Sequence, residues 1–340
     1  MRILLIGGNG FIGSRLMHEL SASGHSVAVF HRSADKGLGE GVMRIQGDRN
    51  RLSDHLEQIR RFSPEVIVDL ILSSGEQAHQ LMNIGSKVAR RVIAVSSMDV
   101  YRAWGVVHRS EPGSLEPLPL TEDSPVRTNR QLYSPDTVKA MQSIFSWLDE
   151  RYDKIAVEEA ILNRSAPGTV LRLPMVYGPG DPLHRFFPLL KRFTDGRSTI
   201  ILADDLAAWR GPRGYVENIA HAIALAATSE QAAGRVYNVC EEPTLSELAW
   251  QRRIATQAHW SGKFVVLPRE KSPSHLLQPG NAAQHIVVSS ERIREELGYK
   301  ELVDRDDAIR RTIAWQQHHS PTTVNPQLFD YAAEDAALPN

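Results

Sequence analysis

The stretch Ile3-Leu4-Leu5-Ile6-Gly7-Gly8-Asn9-Gly10-Phe11-Ile12-Gly13 limits what this chain can fold into. Four apolar residues read as a short buried strand. A glycine-rich turn follows, and then Ile12, Leu16 and Leu20 share one face of a helix. Gly8, Gly10 and Gly13 fit the dinucleotide fingerprint; Gly7, Gly10 and Gly13 fit its variant with two residues between glycines. In that motif one glycine makes the turn and one lets the backbone approach a pyrophosphate. The third lets the helix pack tightly on the strand. The free N–H groups of the helix start then face the phosphates. The plainer alternative is a strand-turn-helix whose glycines serve only the turn. Placement after an N-terminal strand and at the opening of a helix favours the dinucleotide. Gly7, Gly10, Phe11, Ile12 and Gly13 are the residues expected to line it.

The second strand, Ser26-Val27-Ala28-Val29-Phe30, ends at His31-Arg32-Ser33. Sites for NAD usually place an acidic residue about here, roughly 20 residues past the glycines, to hold the ribose hydroxyls. His31 stands in its place, followed by Arg32, with Lys36 and Arg49 nearby in sequence. A cationic group there pairs with a 2′-phosphate. Arg32 therefore favours NADP over NAD, the alternative being that it is a solvated loop residue.

Further strands are expected at 43–48, ending in Gly47-Asp48, at 66–71, at 91–95 and at 169–173, with helices at 52–62 and 77–89 between them. Strands alternating with helices imply an α/β fold built on a doubly wound parallel sheet. Ligands of such sheets lie off the carboxyl ends of the strands. Asp48, Leu70, Ile71, Pro174 and Val176 are therefore expected along the cofactor, and Ser96-Ser97-Met98-Asp99-Val100-Tyr101 is placed for chemistry. Residues 102–135 read as loop, and 136–148 and 152–162 as helix, either continuous or broken near Asp149. Beyond 182 come helices at 182–195, 217–227, 290–297 and 304–317, strands at 199–202, 235–239 and 264–267, and a helix at 244–257 whose cap is Thr244 with Glu247 in a capping box. The end, from Pro321 on, has few apolar residues and is expected to be loosely held.

The chain has 340 residues, 42% of them hydrophobic, and a formal net charge of -1. The near-neutral charge gives no electrostatic footprint for nucleic acid or an anionic membrane. No apolar run reaches transmembrane length. Cys240 is the only cysteine, so no internal disulfide forms and a reducing, cytoplasmic setting is expected. The 13 histidines are scattered, without metal-ligand spacing.

Gly7-Gly8-Asn9-Gly10-Phe11-Ile12-Gly13, Gly47-Asp48, Ser96-Ser97-Met98-Asp99-Val100-Tyr101, Lys154-Ile155-Ala156-Val157-Glu158 and Leu171-Arg172-Leu173-Pro174-Met175-Val176-Tyr177-Gly178-Pro179-Gly180-Asp181 occur in one order. Together they resemble the extended short-chain dehydrogenase/reductase superfamily, its NAD-dependent epimerase/dehydratase group. The resemblance implies a Rossmann domain over 1–175, to which 203–240 return. A smaller C-terminal α/β substrate lobe would hold 176–202 and 241–320, followed by a tail at 321–340. It also implies a homodimer, a nicotinamide dinucleotide, and a small hydroxylated substrate, a nucleotide sugar being one candidate.

In that superfamily a serine or threonine, a tyrosine and a lysine move a proton to or from a substrate hydroxyl while hydride moves to or from the nicotinamide. Ser97 matches the hydroxyl residue and Lys154 the lysine. The tyrosine belongs four residues before the lysine, where this chain has Glu150. Tyr152 is the nearest substitute, although two residues apart on a regular helix it would point away from Lys154 and join a core stripe. Tyr133 is a second substitute. Asp99 matches one of two acids that assist water loss in the dehydratases, with a loop hydrogen bond as its plainer role. Arg210 and Arg213 lie where relatives place an arginine on a substrate phosphate. The altered tyrosine motif leaves open a second class, a dinucleotide-binding sensor or scaffold without turnover. A third, an RNA-associated relative, is opposed by the charge.

Overall fold

The computed structural model describes residues 1–32, 39, 41–163 and 167–339. Its centre is a parallel seven-stranded sheet. The strands are β1 (Arg2–Ile6), β2 (Ser26–His31), β3 (Met43–Gln46), β4 (Val66–Asp69), β5 (Arg91–Ser97) and β6 (Gly168–Leu173). Three short strands, β7 (Met175–Tyr177), β8 (Thr199–Ala203) and β9 (Arg213–Tyr215), precede the seventh of the sheet, β10 (Val236–Asn238), and β11 (Lys263–Leu267) ends the series. The sheet order is β10-β6-β5-β4-β1-β2-β3, so the order reverses between β1 and β4. Both neighbours of β1 share its register end, with Ile6 opposite Phe30 on one side and Asp69 on the other.

Side chains alternate across the strands and so feed two cores. Ile3, Leu5, Val27, Val29, Val66 and Val68 go to one face, with helices α1 (Phe11–Ala22) and, late in the chain, α9 (Val216–Thr228). Leu4, Ile6, Ala28, Phe30 and Ile67 go to the other. There they meet α2 (Leu56–Phe62), α3 (Gly75–Val88) and α6 (Lys154–Leu162). A sheet covered on both faces needs apolar residues at consecutive positions, which is why its strands read as unbroken apolar runs. The sheet therefore has the α/β, doubly wound form expected of the sequence.

Several local expectations change. The segment after Tyr101 is not all loop: α4 (Arg102–Val107) opens it. The stretch from 136 to 162 is two helices, α5 (Pro135–Ile144) and α6, with nine non-helical residues between them, 145–153. The first turn expected at 52–55 is a 3-10 turn over Arg49–His55. The 182–195 helix is shorter, α7 (Phe187–Thr194), and is followed by α8 (Asp204–Ala208). Ser246, not Thr244, caps α10 (Glu247–Gln257), accepting from the Ala249 N–H at 3.2 Å. Next come α11 (Glu291–Leu297) and α12 (Arg305–His318), capped by Asp304. The final segment is held rather than loose: α13 (Tyr331–Ala337) puts Glu334 out of contact with solvent, bonded to Arg192 of α7 at 2.7 Å. Among the described residues no helix is long and apolar enough to cross a membrane.

Candidate active site

The glycine turn joins β1 to α1, beside the point where the strand order reverses. Gly7 has φ +83°, and a side chain there would meet Ile71 at 2.7 Å. The Gly7 N–H donates to Phe30 O and the Gly10 N–H to Gly7 O, which closes the turn. Gly10 stands at the N-cap of α1 with no side chain over the helix end, so the first N–H groups stay open. A Cβ on Gly13 would lie 2.3 Å from Gly7 O, so this glycine is required by the packing of α1 on β1. Phe11 faces the 178–180 loop, where a Cβ on Gly180 would meet its ring at 3.5 Å. Leu70 and Ile71 follow β4, and Pro174 and Val176 follow β6, so both pairs lie beyond carboxyl ends of the sheet.

His31 ends β2 with both ring nitrogens buried and without a hydrogen-bond partner. An uncovered helix start beside buried, unpaired polar atoms fits a dinucleotide, whose phosphates and ribose supply the missing partners. Arg32 is exposed, and its guanidinium donates to Ser146 Oγ at 2.7 Å. Lys36 lies outside the described residues. Arg49 is not available for a phosphate, since it is buried and bonded to Asp69 at 2.9 Å and to Gln77 O. Asp48 is exposed and caps the turn after β3 by accepting from the Asn50 N–H at 2.9 Å.

The proton-handling groups meet beyond β5. Ser97 Oγ accepts from the Asp99 N–H at 3.2 Å, which sets a 3-10 turn over Met98–Val100 and turns Asp99 inward. The Tyr152 hydroxyl donates to Asp99 Oδ2 at 2.7 Å, and the Tyr133 hydroxyl reaches the same oxygen at 3.3 Å. Asp99 Oδ1 is buried without a hydrogen bond, with Arg127 Nη2 4.0 Å away. His108 packs edge-on against Tyr133, with ring centres 5.7 Å apart.

Tyr152 reaches this cluster because it precedes the helix. The 145–153 segment is stitched to the end of β4: the Asp149 N–H donates to Ser73 Oγ at 2.8 Å, and the Asp153 N–H to Ser73 O at 2.9 Å. Asp153 then caps α6, accepting from the N–H groups of Ile155 and Ala156. Helical spacing thus does not relate Tyr152 to Lys154, and Tyr152 is not in a core stripe.

Lys154 opens α6 and is buried. Its ammonium donates to Leu72 O and to Val95 O, at the ends of β4 and β5. Burial lowers its pKa to about 8, against the pull of Asp99 and Asp69. Burial, and then the Asp99 charge, push both tyrosines well above their ordinary value. These phenols are therefore held protonated, with Asp99 Oδ2 as the shared acceptor between them. Tyr133 was the second substitute expected; His108 and Arg127 carry no local sequence signal for this place, and the fold of the 102–135 segment brings them in.

A cavity of ≈ 700 Å³ is lined by His108, the residue that packs on Tyr133, while Ser97, Asp99, Tyr133, Tyr152 and Lys154 do not line it. Trp104 and His108 of the α4 region line it on the proton-handling side and Met175 on the side of the Pro174–Val176 segment. Arg213 of β9 also lines it, but its guanidinium is paired with Glu247 and lies over the Trp250 ring. Arg210 instead donates to Thr244 O.

Residues 3–240 match the NAD dependent epimerase/dehydratase family. The chain belongs to that family. That family is one of NAD-dependent epimerases and dehydratases, and membership of it supports an enzyme of that kind. A UDP-N-acetyl-alpha-D-glucosaminuronate decarboxylase of Bacillus cytotoxicus is 23% identical over 339 residues, covering 92% of this chain and 97% of the relative. A dTDP-glucose 4,6-dehydratase of Streptomyces griseus is 26% identical over 349 residues, covering 93% and 94%. Among solved structures, the Bordetella bronchiseptica enzyme WbmG in complex with NAD superposes with a TM-score of 0.68 at 18% identity, over 94% of each chain. That likeness is one of fold.

Proposed function

We propose that this family member binds NADP in preference to NAD and transfers hydride and a proton at a hydroxyl or carbonyl carbon of a small molecule seated in the ≈ 700 Å³ cavity. Two of its relatives are named for nucleotide-sugar chemistry. The 2.7 Å bond from Tyr152 to Asp99, one turn from Ser97, carries this reading. Gly7, Gly10, Phe11, Ile12 and Gly13 would hold the pyrophosphate; His31 and Arg32 would hold the adenosine ribose and its phosphate. Asp48, Leu70, Ile71, Pro174 and Val176 would line the rest, and Lys154 the nicotinamide ribose. The bound nicotinamide supplies the hydride acceptor or donor.

In this reading Ser97 orients the substrate oxygen. Tyr152 takes the substrate's hydroxyl proton as its own proton passes to Asp99 Oδ2, and the reverse transfer serves a carbonyl. Handing the proton on avoids a free phenolate, which burial beside Asp99 disfavours. The dinucleotide domain is formed by 1–175 with 203–240, and the substrate lobe by 176–202 with 241–320. A cytoplasmic homodimer belongs to the same reading; sedimentation equilibrium of the full chain checks the oligomeric part.

Titration of NADH and NADPH against wild type and Arg32→Ala tests the cofactor choice. Loss of the NADPH preference in the variant is expected, and equal NADPH binding by both proteins removes Arg32 from the site. For the chemistry, Tyr152→Phe should lose roughly 100-fold or more in rate with dinucleotide affinity retained, in the range of a lost general acid or base. A full-rate variant moves the role to Tyr133 or Asp99. The bonding of Lys154 to two carbonyls rather than to Tyr152 favours the second reading, a dinucleotide-binding sensor or scaffold. Dinucleotide binding without turnover of any alcohol or ketone would decide for it.

A further inference from the structure

The cavity is built for an uncharged guest. Four arginines line it, and every one is already neutralised. Arg213 is paired with Glu247, and Arg269 with Asp205 at 2.5 Å. Arg185 is paired with Asp181 at 2.7 Å, and Arg192 with Glu334 at 2.7 Å. Asp181 and Glu334 are almost wholly buried, so water does little to loosen their pairs. Each guanidinium also donates to a backbone carbonyl: Arg213 to Gly211, Arg269 to Gln278, Arg185 to Val176, and Arg192 to Pro188 and Leu328.

A diphosphate entering this space would have to displace a carboxylate from an arginine. The displaced carboxylate would then lie next to the phosphate, two like charges in a partly dry cavity. Glu247 is the sharpest case. It sits at the first helical position of α10, where the helix dipole favours its charge, and Gln251 donates to its other oxygen at 3.0 Å. It is thus fixed at Arg213 by three interactions before any ligand arrives.

Much of the remaining wall is aromatic and aliphatic, with His108, His275, Gln251, Gln278 and Asn281 among it. Trp104 and Trp209 stand 6.1 Å apart at a tilt, and Trp250 closes the space below Arg213. Ile200, Leu202 and Leu206 add aliphatic surface. A volume of ≈ 700 Å³ falls in the range of sites that enclose a small organic molecule, roughly 300–1,000 Å³. Burying apolar rings against such a wall is favourable, whereas an unpaired phosphate there is costly.

We infer that the substrate is an uncharged, ring-bearing alcohol or ketone with an apolar body, and that Glu247 excludes phosphorylated substrates by occupying Arg213. The inference rests on the oxidoreductase reading for the reacting group and on the cavity alone for the class of molecule. Binding to the full-length chain, with and without NADP, tests it with two probes, UDP and the fused-ring alcohol 2-tetralol. Titration calorimetry of wild type should show binding of 2-tetralol and not of UDP. Glu247→Gln keeps the shape and the Gln251 contact while freeing the Arg213 charge. It should bind UDP roughly tenfold or more tightly than wild type, as one released charge-assisted bond allows, and 2-tetralol as wild type does. Wild type binding UDP as well as or better than 2-tetralol overturns the inference. So does failure of both probes, or a Glu247→Gln variant with no gain for UDP. Binding of 2-tetralol without hydride transfer to NADP leaves the class of molecule standing and counts against the oxidoreductase reading instead.

Discussion

Lys154 shows how one buried charge couples stability to pH. Its folded pKa is about 8, against 10.5 for the free side chain. Between those values the unfolded chain keeps a proton that the folded chain has released, so stability rises with pH across the window. Below about 8 both states are charged and the burial penalty is complete, roughly 3 kcal/mol over the window at about 1.4 kcal/mol per unit. Relative to Lys154→Met, wild type should gain stability by up to about that amount as pH rises from about 8 to 10.5. Urea unfolding of both proteins across that range measures it. A pH-independent difference would mean that Lys154 is not held in a desolvated site. Burial, and after it the Asp99 charge, works in the opposite sense on Tyr133 and Tyr152, pushing both phenols well above their ordinary value.

At the scale of elements, the opening turn separates two uses of glycine. A Cβ on Gly10 would meet only Gly7 O, at 3.3 Å, and would project over the open helix end. A Cβ on Gly13 would press into Gly7 O and the Gly8 backbone at 2.3–2.8 Å. Gly10→Val should therefore fold, with a melting temperature close to wild type, and lose dinucleotide binding. Gly13→Val should fail to fold or melt many degrees lower, because backbone cannot move aside as a side chain can. Circular dichroism melts and NADPH fluorescence distinguish them, and a Gly10→Val that binds normally removes the phosphates from this turn. The same scale holds the break between α5 and α6. Ser73, Ser74 and Asp153 fix that connection by hydrogen bonds to the chain around Asp149 and to the first turn of α6. This connection is what frees Tyr152 from the helix.

At the scale of the whole molecule, the C-terminal segment packs back on α7 and the residues just after it. Glu334 joins Arg192 at 2.7 Å and His275 at 3.1 Å, and Leu328 just before it lines the cavity. Glu334→Ala would leave Arg192 buried without its carboxylate. Breaking such a pair costs about 3–5 kcal/mol, more than the loss of an exposed pair by several-fold. A clearly lowered melting temperature is expected, with 2-tetralol binding weakened as Leu328 shifts. An unchanged melt would show that the Glu334–Arg192 pair contributes nothing to stability.

The sequence alone determined the sheet and its cofactor edge. Continuous apolar runs, alternating with amphipathic helices and preceded by a glycine triplet, admit few other arrangements, because these signals are local and repeat with fixed periods. Ser97 and Lys154 were legible in the same way, by their places just after β5 and at the start of α6. Tyr152 was legible only as the nearest substitute for the missing tyrosine, since its direction depends on where a helix begins, and hydrogen bonds accepted by Ser73 and Asp153 decide that. The C-terminal segment misled for a similar reason: it has few apolar residues, and one buried glutamate holds it. The cavity's chemistry was least visible. Arg213 was expected on a substrate phosphate, but its guanidinium is paired with Glu247, 34 positions away. Arg192 is paired with Glu334, 142 positions away. Pairing between charges this far apart has no period and no motif, so only the tertiary structure shows that these arginines are already taken.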